Sequence, residues 1–274
     1  MSETAPASVP ASAPGKAPLL ELRDVSKSFG SVQALTEVDF EVREGEVMAL
    51  VGDNGAGKST LIKTVAGIHP PDSGEIFFDG AEVHIHGPKD AARLGIEVVY
   101  QDLALCDNLD VVQNMYLGRE AHSVFEILKE PEMQKKTTET MAGLRVTTIR
   151  SVRQRVATLS GGQRQSVAVA RAVMWNSRVV ILDEPTAALG VAQTEQVLEL
   201  VKRLAEQGLA VVIISHNLHD VFEVAQRITV LRLGRNIGVY DRAATTQEEV
   251  VHAITAGQPT KVSGISGTST EAVV

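Results

Sequence analysis

Apolar residues in this chain recur with two different periods. Stretches 20–25 and 38–42 largely alternate apolar with polar residues, which predicts half-buried strands. A Glu-Gly-Glu turn at 44–46 precedes Val-Met-Ala-Leu-Val at 47–51, a continuous apolar run suited to a strand buried on both faces. Over 58–66 the period lengthens, and Leu61, Ile62 and Val65 fall on one helical face. A Pro-Pro-Asp-Ser-Gly turn at 70–74 leads to a strand at 75–78 and an Asp-Gly turn. Pro88 is suited to the first turn of a short helix over 88–94, and 96–100 is again an apolar strand.

Beyond this point the pattern changes. Residues 102–158 carry helical pieces at 111–117 and 130–144 without a clear strand between them. Strands return at 179–182 and 210–214, each followed by a helix, at 191–207 and 218–225. Two strand-like runs, 228–233 and 236–240, close the ordered part. The alternation predicts an α/β fold with a mostly parallel sheet, an N-terminal antiparallel β part and an inserted α-helical subdomain over about 102–172. The domain runs from 18 to 257, without an internal repeat. The Ala/Pro/Ser-rich stretch 1–17 and the similar stretch 258–274 read as disordered tails.

Composition narrows the setting. The 274 residues are 44% hydrophobic and 22% charged, the balance of an ordinary globular protein. A net charge of −8 argues against a nucleic-acid partner, whose binding surface should be basic. The single cysteine, Cys106, cannot form an intramolecular disulfide, and a reducing interior suits it. No run approaches the about 18 apolar residues of a spanning helix, and the N-terminal stretch lacks the basic lead and apolar core of a targeting signal.

The chemistry begins where strand 47–51 meets helix 58–66. Gly52, Asp53, Asn54, Gly55, Ala56, Gly57, Lys58 and Ser59 match Gly-x-x-x-x-Gly-Lys-Ser/Thr between a predicted strand and a predicted helix, and Thr60 follows in the first turn. Glycines let successive backbone N–H groups converge on phosphate oxygens, and the helix aims the positive end of its dipole at the same anion. Lys58 is placed to neutralise the β- and γ-phosphates, and the Ser59 hydroxyl to ligate Mg2+. A second strand, Val-Val-Ile-Leu at 179–182, ends in Asp183 and Glu184. Asp183 suits the same metal, while Glu184 points to the other side of the strand end and can deprotonate an attacking water.

Leu-Ser-Gly-Gly-Gln at 159–163 separates this chain from other phosphate-cradle proteins. Ser160 can cap a helix whose first residues, Gly161 and Gly162, expose backbone N–H groups. With the preceding motifs, the chain resembles the ATP-binding cassette (ABC) ATPases that drive ABC transporters, over 19–257. The resemblance implies ATP and Mg2+ as ligands. It implies that Ser160, Gly161, Gly162 and Gln163 contact ATP held by the other subunit of a head-to-tail homodimer. Gln101 takes the place of the glutamine that senses Mg2+ and touches the membrane partner. His216 takes that of the histidine that meets the γ-phosphate, and Phe29 that of the aromatic that stacks on adenine. The family's usual Ser-Ala-Leu-Asp after Asp-Glu-Pro-Thr reads Ala187-Ala188-Leu189-Gly190 here, so a carboxylate that couples the two nucleotide sites is missing. His84 and His86 alternate on a predicted strand, a spacing that suits a solvated face or a metal pair.

The same likeness sets partners and place. A cassette of this kind works on the inner, cytoplasmic face of the cell membrane, bound to integral-membrane permease subunits and indirectly to a solute-binding protein. The Pro185–Gly190 ending and the run at 108–120 resemble importers of monosaccharides such as xylose, ribose or fructose. Competing readings are importers of other small solutes, non-transport ABC ATPases such as those of cluster assembly, and P-loop kinases. A kinase has no use for the Ser160 segment. The interval between Lys58 and Ser160 is too short for the coiled coil of a repair ATPase.

Overall fold

A computed structural model describes residues 17–122 and 127–257, so both tails fall almost wholly outside the described residues. The chain opens with a long hairpin, β1 (Pro18–Phe29) and β2 (Val32–Arg43), followed by β3 (Val47–Val51) and α1 (Lys58–Val65). Next come β4 (Ser73–Phe78), the two-residue β5 (Ala81–Glu82), α2 (Pro88–Leu94) and β6 (Ile96–Val99). The helical block contains α3 (Val111–Tyr116), α4 (Glu130–Gly143) and α5 (Gly161–Val173). The remainder alternates: β7 (Val179–Asp183), α6 (Val191–Glu206), β8 (Ala210–Ile214), α7 (Leu218–Val224), β9 (Arg227–Arg232), β10 (Arg235–Asp241) and α8 (Gln247–Ala256).

Two sheets form. The first is antiparallel in the order β2-β1-β4-β5; the second runs β10-β9-β3-β8-β7-β6, parallel except for β10 at its edge. The continuous apolar run of β3 follows from this layering, since no residue in it is more than 1% exposed. Met48 and Leu50 face a core shared with α1 and the antiparallel sheet, whereas Val47, Ala49 and Val51 face a second core. That second core continues without a break into the helical block, through Met115, Tyr116, Met133, Met141, Val167 and Val169.

Three elements differ from the pattern reading. β1 and β2 are much longer than the two stretches that alternate. Irregular register between Leu22, Val25 and Lys27 interrupts the period of two, with Asp24 and Glu37 in left-handed conformations. His84 and His86 are not on a strand: β5 stops at Glu82, and both rings are exposed, with centroids 6.2 Å apart. Among the described residues, no group of three or more His, Cys, Asp or Glu side chains is placed to hold a metal. Finally, α8 follows the last strand, where no element is expected.

Parallel pairing has one consequence for chemistry. β6, β7, β8 and β3 all end on the same edge of their sheet, and the loops leaving them meet there.

Candidate nucleotide-hydrolysing site

The loop after β3 is shaped by contacts that only glycine tolerates. Gly52 has φ 151°, and a Cβ there would lie 2.2 Å from the Leu231 carbonyl oxygen. Gly57 has φ 102°, with Ala34 O and Leu35 Cδ2 each 2.9 Å from its missing Cβ. Behind the loop, Gly234 N donates to Ala56 O (3.0 Å) and Thr36 N to Gly234 O (2.8 Å), which ties the cradle to both sheets. The N–H groups that open α1 are left without helical partners, as at any helix start.

Lys58 lies across this loop. Its Nζ donates to Gly52 O at 2.6 Å and to Asp53 O at 3.0 Å. Burial pushes its pKa down, while the charges of Glu184, Asp183 and Asp53 act the other way. Burial raises the Asp183 carboxyl, Glu184 raises it further, and Lys58 and Lys63 pull it back. The site therefore concentrates negative charge at a half-buried position, offset by Lys58 and Lys63. Ser59, Gln101 and Asp183 are oxygen donors only, and a divalent cation among them would relieve the repulsion between Asp183 and Glu184. That donor chemistry fits Mg2+.

Glu184 leaves β7 in a left-handed conformation (φ 50°), its N–H bonded to Ile214 O at 2.9 Å. Its Oε2 lies 2.8 Å from His216 Nδ1. The Glu184 side chain is 17% exposed and that of His216 75% exposed, so the pair bridges interior and solvent. With Nδ1–H donating to the carboxylate, His216 presents Nε2 outward.

A cleft of about 550 Å3 joins these parts. It is lined by Val51, Gly52, Asp53, Asn54, Gln101, Glu184, Ser215 and His216, and on its far side by Leu218 and by Val251, Ile254 and Thr255 of α8. The structure thus brings Gln101, Glu184 and His216 to the cradle. The wall supplied by α8 was missed. Its signal is the capping box at Thr246, whose Oγ1 accepts from Glu249 N (3.3 Å), while Glu249 Oε2 accepts from Thr246 N (2.9 Å).

Two expected groups stand apart from that cleft. Ser160 is the N-cap of α5: its Oγ accepts from Gln163 N (3.4 Å), and Gln163 Oε1 accepts from Ser160 N (2.9 Å). A Cβ on Gly161 would lie 2.8 Å from Leu189 Cδ2, and one on Gly162 3.1 Å from Gln193 Cβ. These glycines therefore also let α5 start hard against α6. The residues Ser160 to Gln163 do not line the cleft of their own chain.

Phe29, at the tip of the β1–β2 hairpin, is 44% exposed and meets His69 edge-on, with ring centroids 5.1 Å apart. Asp72 fixes this corner: it accepts from Lys27 Nζ, Ser28 N and Ser28 Oγ, each at 2.7 Å. These bonds, with Lys27 first, pull the Asp72 pKa from its ordinary 3.8 to about 2. A carboxylate held down in this way stabilises the fold above pH 3.8, and that contribution is lost as pH falls towards 2. Thermal unfolding of Asp72→Asn should therefore show a shallower loss of stability than wild type across that window. Equal slopes would sink the assignment.

The two-sheet layering, the glycine cradle and the Glu184–His216 pair define a P-loop nucleotide-hydrolysing cassette. The ABC transporter family model matches residues 35–187. A xylose/arabinose import ATP-binding protein of Sulfolobus acidocaldarius is 47% identical over 238 residues, covering 86% of this chain and 94% of that protein. A fructose import ATP-binding protein of Rhizobium meliloti is 45% identical, covering 87% and 94%. A ribose import ATP-binding protein of Streptomyces avermitilis is 42% identical, over 86% of this chain but 46% of its own length. Among solved structures, a nucleotide-free ATP-binding cassette from an ABC transporter superimposes with TM-score 0.74 at 26% identity, over 82% of this chain and 92% of that one. A dimeric cassette in a post-hydrolysis state, bound to ADP and Pi, gives 0.68 at 26%, over 81% and 98%. The chain belongs to the ABC transporter family, as an ATP-binding, ATP-hydrolysing cassette. No helix among the described residues is long and apolar enough to cross a membrane.

Proposed function

We propose that this cassette energises a membrane importer of a monosaccharide of the xylose, ribose or fructose type. The observation that carries the reading is its identity of 45–47% to a xylose/arabinose and a fructose import protein along 94% of each. In this reading two copies close on ATP head to tail, each site combining one chain's cradle with the other's Ser160 segment. The helical block passes the motion to permease subunits at the inner face of the membrane, and a solute-binding protein delivers the sugar.

The chemistry falls to a few side chains. Phe29 seats the adenine, and the amides of Gly55, Gly57, Lys58 and Thr60, with the Lys58 ammonium, hold the phosphates. Glu184 accepts a proton from the water that attacks the γ-phosphorus, and ADP leaves with the electron pair of the broken P–O bond. His216, fixed by its hydrogen bond to Glu184, presents its outer nitrogen to the γ-phosphate. Mg2+, held by Ser59, Asp183 and Gln101, would neutralise charge on the phosphate oxygens.

The test is ATP hydrolysis by the cassette reconstituted with its cognate permease. The matching solute-binding protein, screened against a sugar panel by thermal stabilisation, supplies the cargo. A pentose or hexose that stabilises the binding protein should also stimulate hydrolysis. Stimulation by a non-sugar solute alone would overturn the sugar assignment, and stimulation by a cluster scaffold would overturn import.

A further inference from the structure

A buried carboxylate that the hydrolytic reading leaves unused connects the two loops bearing its reacting groups. Asp220, in the first turn of α7, is 2% exposed. Its Oδ2 accepts from Thr186 Oγ1 at 2.7 Å, and its Oδ1 from Asn217 Nδ2 at 2.9 Å. Thr186 lies two residues beyond Glu184 on the loop leaving β7. Asn217 directly follows His216 on the loop leaving β8. Asn217 is itself fixed on both sides: its Oδ1 accepts from His219 N, and its N–H donates to Ser215 Oγ, each at 3.0 Å. One acid thus grips both loops, through neutral donors.

Packing alone gives no reason for this acid. An apolar side chain fills such a position without the cost of taking a carboxylate out of water. The loop it grips also needs an anchor. Glu184 and Ala188 both occupy the left-handed region (φ 50° and 59°), which residues bearing a Cβ enter only when their surroundings hold them there. At its far end the loop offers Gly190, which caps α6 with no side-chain hydrogen bond. Besides the Glu184–His216 bond at its start, the loop is tethered by the side-chain bond from Thr186 to Asp220.

We propose that Asp220 is a positioning residue for ATP hydrolysis. It holds the loops after β7 and β8 at the separation that places Glu184 Oε2 2.8 Å from His216 Nδ1. The proposal rests on Glu184 and His216 being the hydrolytic pair. Asp220 is buried and does not line the cleft, so its removal acts on turnover rather than on ATP binding.

Steady-state hydrolysis by the full-length cassette tests it, with Asp220→Ala, Asp220→Asn, Thr186→Val and, as reference, Glu184→Gln. Asp220→Ala and Thr186→Val should each lower kcat by about ten- to a hundredfold, the cost of a misplaced reacting group. KM for ATP should stay within about twofold, because Phe29 and the cradle are untouched. Asp220→Asn keeps an acceptor for Asn217 Nδ2 and offers its amide to Thr186 Oγ1, so it should recover kcat to within about fivefold of wild type. Combining Asp220→Ala with Thr186→Val should cost no more than the worse single change, since both cut one tether. Should Asp220→Ala fail to fold, the near-isosteric Thr186→Val and Asp220→Asn decide the question. If Glu184→Gln is inactive while Thr186→Val turns over within about twofold of wild type, the tether is refuted and the hydrolytic pair stands. A rise in KM without loss of kcat refutes it equally. Near wild-type turnover by Glu184→Gln removes the pair, and the tether's role with it.

Discussion

Glu184→Gln is expected to abolish turnover, leave ATP binding intact and trap a nucleotide-bound dimer. The amide is the same size as the carboxylate, and its oxygen still accepts the His216 Nδ1–H bond now made at 2.8 Å. Lys58 keeps its place across the cradle, so the phosphates lose none of their partners. What disappears is the proton acceptor, whose removal slows such reactions by about 100- to 10,000-fold. Phosphate release measures the loss, nucleotide binding measures what remains, and size-exclusion chromatography with ATP detects the trapped dimer. A variant that still hydrolyses at a near wild-type rate would remove Glu184 from the role of base.

Ser160→Arg should be nearly as severe by a different route. Ser160 is exposed and lies outside the cleft of its own chain, so an arginine there leaves that chain's cradle untouched. The substitution breaks the capping box, at a cost of about 1 kcal/mol, and sets a cation against the positive end of α5. Its main effect falls on the other subunit. A bulky side chain covers the amides that would meet the partner's γ-phosphate, so turnover should fall by about 100-fold or more while each chain still binds ATP. Ser160→Ala removes the cap without the bulk and should retain far more activity. Normal hydrolysis by Ser160→Arg would mean that the segment takes no part in the site, as in a P-loop kinase.

Much of this was legible because buried parallel strands write themselves as continuous apolar runs. Val47–Val51 and Ala210–Ile214 have in the structure the bounds their apolar runs predict, and the loop residues Gln101, Glu184 and His216 lie within two residues of the ends of such runs. The antiparallel hairpin was less legible, because irregular register breaks its alternation at Leu22, Val25 and Lys27. Alternation misled at His84 and His86: Ile85 is buried between two exposed histidines, yet the stretch lies beyond the end of β5. α8 escaped notice since only Val250 and Ala253 are buried along it, too narrow a stripe to announce a helix by periodicity. Asp220 could not be read at all. An acid in a short helix looks like any solvated residue until the fold sets Thr186 and Asn217 on either side of it.

Each hydrolytic site is expected to be built from two chains, and mixing two inactive variants tests this most directly. Lys58→Ala destroys the cradle, and Ser160→Arg destroys the segment offered to the partner. Each alone should be inactive. In a mixed dimer, Lys58 of the Ser160→Arg chain meets Ser160 of the Lys58→Ala chain, which restores one intact site. Mixing the two proteins should therefore recover a substantial share of wild-type phosphate release. If the mixture stays as inactive as either variant, while wild type at the same total concentration hydrolyses ATP, the two-chain site is contradicted.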